Sequence, residues 1–202
     1  MLPTSSVLLI AANLVPVVGV ARGGWNIFDI LFIYWAESAI IGVFNVLKML
    51  TANEKDGPPF IVSFILKLIL CVFFTVHFGG FMAAHGAFLY FISEEMTKIP
   101  IDPINLLRST GFALVSLLIS HGYSFFANYL VGGEREKASA DQLMMQPYAR
   151  IFVMHLTIIF GMMATMIFGQ AQAMLLVFVA LKTGVDLYSH MRERKKFKPE
   201  AL

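Results

Sequence analysis

Charge is scarce in this chain. Only 14% of its 202 residues are Asp, Glu, Lys or Arg, while 58% are hydrophobic; ordinary soluble chains are about 25% charged. Mean hydropathy is +0.75. The few charges cluster between long apolar runs, which excludes a soluble globular domain and points to an integral membrane protein. Cysteine is nearly absent: the single Cys71 lies inside an apolar run, so no disulfide framework exists within the chain. Lys and Arg are missing from the first 21 residues. The small residues before Arg22 therefore lack the basic region of a signal peptide, and this stretch reads as a first spanning helix. Internal repeats and low-complexity tracts are also lacking. A net charge of +2 carries little information, and nothing points to a nucleic-acid partner.

What is present is a series of long apolar runs. Hydropathy predicts an all-α integral membrane bundle of about six transmembrane helices in one domain, residues 1–202. The helices fall near residues 5–20, 25–50, 60–93, 104–131, 148–168 and 172–191. Pro16 should kink the first. The third would be about 50 Å long at 1.5 Å per residue, against a hydrocarbon core of about 30 Å. It must tilt, protrude or break, and Gly79-Gly80 is the expected point of breakage. The polar residues 132–147 read as the one small extramembrane element.

Six spans place both termini on one side, and basic residues choose the side. Lys48, Lys55, Arg135, Lys137, Arg150 and the basic tail after Met191 fall on one side, with only Arg22, Lys98 and Arg108 on the other. Both termini are therefore expected in the cytoplasm, in a bacterial-type inner membrane.

Ionisable groups inside such runs are costly, so each is a candidate. Glu37 falls near mid-membrane on a helix face shared with Tyr34, Asn45 and Lys48. There it needs a cation, a metal or a hydrogen-bond cage, or else a proton. The blander account is a hydrogen bond for packing. His77 and His85 are eight residues apart, about 12 Å along one helix. They can share a metal only if that helix breaks; otherwise each is an interhelical hydrogen-bond partner. His121, Ser124 and Asn128 form a stripe that invites a serine-hydrolase reading. No glycine-flanked nucleophile motif accompanies it, and Ser124 follows His121 by three residues on the same helix. His155 adds an imidazole, and Gly161 and Thr165 a packing stripe. Asp186 and His190 have the spacing at which two ligands meet one metal. Lys182, one turn from Asp186, competes as its ion-pair partner.

Taken together, Tyr34-Trp35-Ala36-Glu37 with Asn45 and Lys48, His77-Phe78-Gly79, His85-Gly86 and Ser120-His121-Gly122 carry a resemblance. Pro147-Tyr148-Ala149-Arg150 with His155, and Lys182 with Asp186 and His190, extend it. The chain resembles, over nearly its whole length, a set of prokaryotic multi-spanning membrane proteins, domain-of-unknown-function family 6498. That resemblance implies a multi-spanning fold and no activity, substrate, cofactor or site residue.

The leading functional expectation is a metal-dependent hydrolytic or redox enzyme acting on a membrane-embedded small molecule or lipid. Glu37, His121 and Ser124 are its candidate catalytic residues. His77, His85, His121, His155, Asp186 and His190 are its candidate metal ligands. One grouping sets His121, His155, Asp186 and His190 around a tetrahedral ion and leaves Glu37, His77 and His85 as a second group. Zinc or iron suits these donors. Haem is the weaker cofactor candidate, with His121 and His155 as the only pair placed at similar depth. A proton-coupled transporter or channel is the first rival, although no inverted repeat is visible. A structural assembly partner is the second. Partners are the bilayer itself and, as an open question, further copies of the chain.

Overall fold

A computed structural model describes residues 27–53, 59–97, 101–168 and 175–185. All regular structure among the described residues is helical: α1 Ile27–Thr51, α2 Phe60–Thr97, α3 Pro103–Ser124, a π-helical continuation Phe125–Val131, a 3-10 turn Glu134–Glu136, α4 Ala140–Met145 and α5 Tyr148–Phe168. A shorter apolar helix, α6, covers Leu175–Val185. The chain divides into two compact units, residues 31–151 and a second built from residues 1–30 and 152–202.

Four helical stretches are long and apolar enough to cross a membrane: Phe28–Thr51, Phe60–Ile92, Pro103–Val131 and Ala140–Gly161. By helix length and hydropathy this is a multi-pass membrane protein. The expected count of six is corrected to four among the described residues. The expected first helix and the turn at 169–171 lie outside those residues, and only Leu175–Val185 of the last expected helix is described.

α2 does not break. Its 38 residues run through Gly79-Gly80 as one helix, about 57 Å at 1.5 Å per residue, so it tilts or protrudes. A Cβ added at Gly79 or Gly80 would meet nothing within 4 Å; these glycines admit no neighbour and leave the helix hydrogen bonds intact. The glycines that admit neighbours between α1 and α2 are Gly42 and Gly86. A Cβ on Gly42 would stand 2.6 Å from Phe78 Cε1, and one on Gly86 would stand 2.9 Å from Trp35 Cζ2. Trp35 fills the Gly86 gap and donates Nε1–H to the Met82 carbonyl at 2.7 Å. Residues 35 and 42 thus meet residues 86 and 78, an antiparallel pair locked at two points. Lys67 completes it by donating to the Ala52 carbonyl just past the end of α1, where a cation suits the helix dipole. Met49, Cys71, Phe74, Phe78 and Met82 are buried along the seam. The other face of α2 is exposed and apolar, from Phe60 and Ile61 to Phe88 and Phe91, as a lipid-facing surface should be.

α3 begins where Asp102 accepts from the Ile104 N–H at 2.9 Å, with Pro103 in the first turn. After Ser124 the helix widens to π, a rare geometry. Phe125 and Tyr129 stack at 5.7 Å, and Tyr129 donates its hydroxyl to the Lys48 carbonyl at 2.7 Å. Gly133, at φ 77, takes the left-handed turn that reverses the chain.

Residues 134–150 then run back along α1, and residues 140–147 of the expected extramembrane element fall within the apolar stretch Ala140–Gly161. The Asn53 N–H donates to the Arg135 carbonyl at 2.8 Å, the Asn45 amide to the Leu143 carbonyl at 2.9 Å, and Arg150 Nε to Ser38 Oγ at 3.1 Å. From 135 to 150 on one side the partner falls from 53 to 38 on the other, one residue for one residue. The returning segment is therefore antiparallel to α1, with non-helical residues at 137–139 and again around buried Pro147. Pro147 has no N–H to give the Leu143 carbonyl. The Asn45 side chain and the Gln146 N–H, at 3.2 Å, serve that oxygen instead.

In the second unit, α5 buries Val153, Met154, Thr157, Ile158 and Gly161, one helix face, and α6 buries Leu175, Phe178 and Val179.

Candidate functional site

Glu37 is the eleventh residue of α1, about 15 Å from the helix start and near the middle of its length. Its carboxylate is shared. Arg150 Nη2, on the first turn of α5, donates to Oε2, and His121 Nε2 of α3 lies 3.5 Å from Oε1. The side chains of Glu37, Arg150 and His121 are 21%, 23% and 28% exposed, so the group is shielded without being sealed.

Arg150 is held from α1 on two further sides. Its Nε–H donates to Ser38 Oγ, and its guanidinium lies 4.5 Å from the centroid of the Tyr34 ring, a cation–π distance. Ser38 spends its own hydroxyl hydrogen on the Tyr34 carbonyl at 2.8 Å, so its oxygen faces Arg150 as an acceptor. Tyr34 and Ser38 are both buried. The sequence places Tyr34, Glu37 and Ser38 at three- and four-residue spacing, hence on one face. An isolated charge there would be very costly; a matched pair with hydrogen bonds is what makes it tenable.

The other expected site residues are arranged differently. His77 shares a 2.8 Å hydrogen bond between Nδ1 and the Tyr148 hydroxyl, and stacks on Phe73 at 5.2 Å. His85 is buried and donates Nδ1–H to the Phe81 carbonyl one turn back at 2.7 Å. Because α2 is unbroken, the two histidines stay about 12 Å apart and do not join Glu37 in one group. Ser124 accepts from the Asn128 amide at 3.3 Å, while His121 turns to Glu37. His155 is exposed in the second unit. Asp186 and His190 lie outside the described residues. Among the described residues no three His, Cys, Asp or Glu side chains converge as a metal group would require.

Arg150 is the residue that sequence reasoning missed. It reads as a cytoplasmic topology charge because it follows a polar segment with Pro147. The signal available was an imbalance: an acidic residue in mid-span calls for a cation, and Arg150 is the arginine set directly against the apolar run 151–154.

A search of curated proteins and a search of solved structures each return no match to this chain. A family model does match, over residues 2–202, and its description is Family of unknown function (DUF6498). The fold and polar constellation above therefore belong to a chain that is a member of that family of unknown function.

Proposed function

We propose that this protein is a proton-coupled transporter or channel of the cytoplasmic membrane, with both termini on the cytoplasmic side. Glu37, His121 and Arg150 form its proton-handling site. The observation that carries the reading is a carboxylate near the middle of α1 lying between a permanent cation and an imidazole. Imidazole is the side chain that changes charge near neutral pH. A proton arriving at His121 strengthens its pull on Oε1 of Glu37 while Oε2 stays on Arg150. One end of the same unit gathers Lys67, Ala52, Asn53 and Arg135, in keeping with a cytoplasmic face.

The test is reconstitution in sealed liposomes with an internal pH-sensitive dye. An imposed potential should drive proton flux above that of empty liposomes. Glu37→Gln should abolish that flux, and His121→Ala should lower it by more than tenfold, with both variants folded. Flux equal to that of empty liposomes, or unchanged in Glu37→Gln, overturns the reading and leaves a structural assembly role ahead.

The metal-dependent enzyme stands second. Glu37 and His121 offer one carboxylate and one imidazole already facing each other, donors of the kind zinc or iron takes. Zinc or iron would polarise a substrate or activate water. The guanidinium of Arg150 on the same carboxylate repels a divalent cation, which sets this reading behind the first. Zinc, iron and copper counted per chain in untagged, dialysed protein, and again in Asp186→Asn and His121→Ala, decide it. Stoichiometric metal lost in both variants would promote it.

A further inference from the structure

The geometry points to Arg150 as a seat for a small monocarboxylate supplied from outside the chain, which enters by taking the place of the Glu37 carboxylate. This deepens the reading above and rests on it for the location of the site, not for the proton.

Three features carry it. First, two of the three holds on the guanidinium do not involve Glu37. Ser38 Oγ takes Nε–H at 3.1 Å and the Tyr34 ring faces the guanidinium at 4.5 Å. The group stays in place and in plane when Glu37 moves off. Second, the edge then available is the Nη1–Nη2 fork. Nη2 holds Glu37 in this structure, and Nη1 has no hydrogen-bond partner among the described residues. That fork matches the two oxygens of a planar carboxylate. Third, Glu37 has a second place to go. His121 Nε2 is 3.5 Å from its other oxygen, so a modest swing exchanges one partner for the other. An arginine left unpaired at this depth is strongly disfavoured. Departure of Glu37 therefore proceeds together with arrival of another anion, and the chain carries its own competitor for that anion.

The experiment uses the full chain in detergent, at one pH and matched ionic strength, with benzoate and acetate titrated calorimetrically against a chloride control. Glu37→Gln keeps the shape of the side chain and removes the competing charge. It should bind benzoate at least tenfold tighter than the parent. Arg150→Gln should abolish binding. In the Glu37→Gln background, Arg150→Lys keeps the charge without the fork and should bind at least tenfold weaker than Glu37→Gln alone, which covers the case of a misfolded Arg150→Gln variant. Arg135→Gln, outside the site, should match the parent. Glu37→Gln binding no tighter than the parent, or carboxylate binding retained in the Glu37→Gln, Arg150→Lys double variant at the affinity of Glu37→Gln, overturns the proposal. Benzoate binding in Glu37→Gln, with no proton flux from the parent protein in liposomes, would refute the proton reading and sustain this one. Proton flux without carboxylate binding would do the reverse.

Discussion

Asn45 shows how one side chain makes a broken helix tolerable at membrane depth. Pro147 leaves the Leu143 carbonyl without its helical donor, and the Asn45 amide reaches across from α1 to supply one at 2.9 Å. Leaving a buried carbonyl poorly satisfied costs about 1–3 kcal/mol. The Gln146 N–H remains in place, so Asn45→Ala should sit toward the lower end, seen as a reduced thermal midpoint in detergent. In a Pro147→Ala background the backbone regains its own donor and the same substitution should cost less. Equal losses in both backgrounds would mean that Asn45 acts by packing alone. The Glu37 site follows the same rule at higher stakes: its carboxylate is matched by partners from two other helices, and Ser38 and Tyr34 orient one of them, Arg150.

Among the elements, the α1–α2 pair and the returning segment 134–150 decide where those partners meet. Gly42 and Gly86 let Phe78 and Trp35 seat at van der Waals contact, and both rings are packed on several sides: Phe78 against Phe74 at 4.7 Å, Trp35 against Phe32 at 5.7 Å. Neither can yield cheaply. Gly86→Val should destabilise the protein by about 1–3 kcal/mol through overpacking. Gly79→Ala and Gly80→Ala meet open space and raise helix propensity by up to about 1 kcal/mol each, so they should leave the midpoint unchanged or higher. Thermal unfolding of the three variants checks the contrast; a loss at Gly79 or Gly80 equal to that at Gly86 would contradict the assignment of the contact positions.

For the molecule as a whole, the consequence is topological. If residues 134–150 descend beside α1, water reaches only the start of that stretch. In a Cys71→Ala background, single cysteines at Glu136 and at Ala149 should differ under a membrane-impermeant maleimide. The first should label and the second should not. A reporter fused after Leu202 should give a cytoplasmic signal, and Glu136→Cys should label from that same side. Labelling at both cysteine positions would restore an extramembrane loop and remove Arg150 from membrane depth.

Composition and hydropathy were enough to read a helical membrane protein. A bilayer forces backbone polar groups into helices, and apolar runs of sufficient length are visible in one dimension. The expected runs at 25–50, 60–93 and 104–131 agree with the observed α1, α2 and α3 with its π continuation to within a few residues. Periodicity also brought out the face carrying Tyr34, Glu37 and Asn45, because residues one turn apart are neighbours whatever the fold. Glu37 and His121 were both legible as candidates, being ionisable groups in apolar surroundings. Their being joined was not legible, nor was Arg150. The pairing depends on a chain reversal at Gly133 and an antiparallel return along α1. A polar, Pro-containing stretch has the same composition whether it lies outside a membrane or folds back against a helix that satisfies it. The converse error arose at Gly79-Gly80: glycine permits a break without compelling one, and only neighbours pressing on the helix would decide it. Local sequence determines what a segment can do, and which partner faces each polar group is settled by tertiary contacts, because at membrane depth an unmatched charge is too costly to stand.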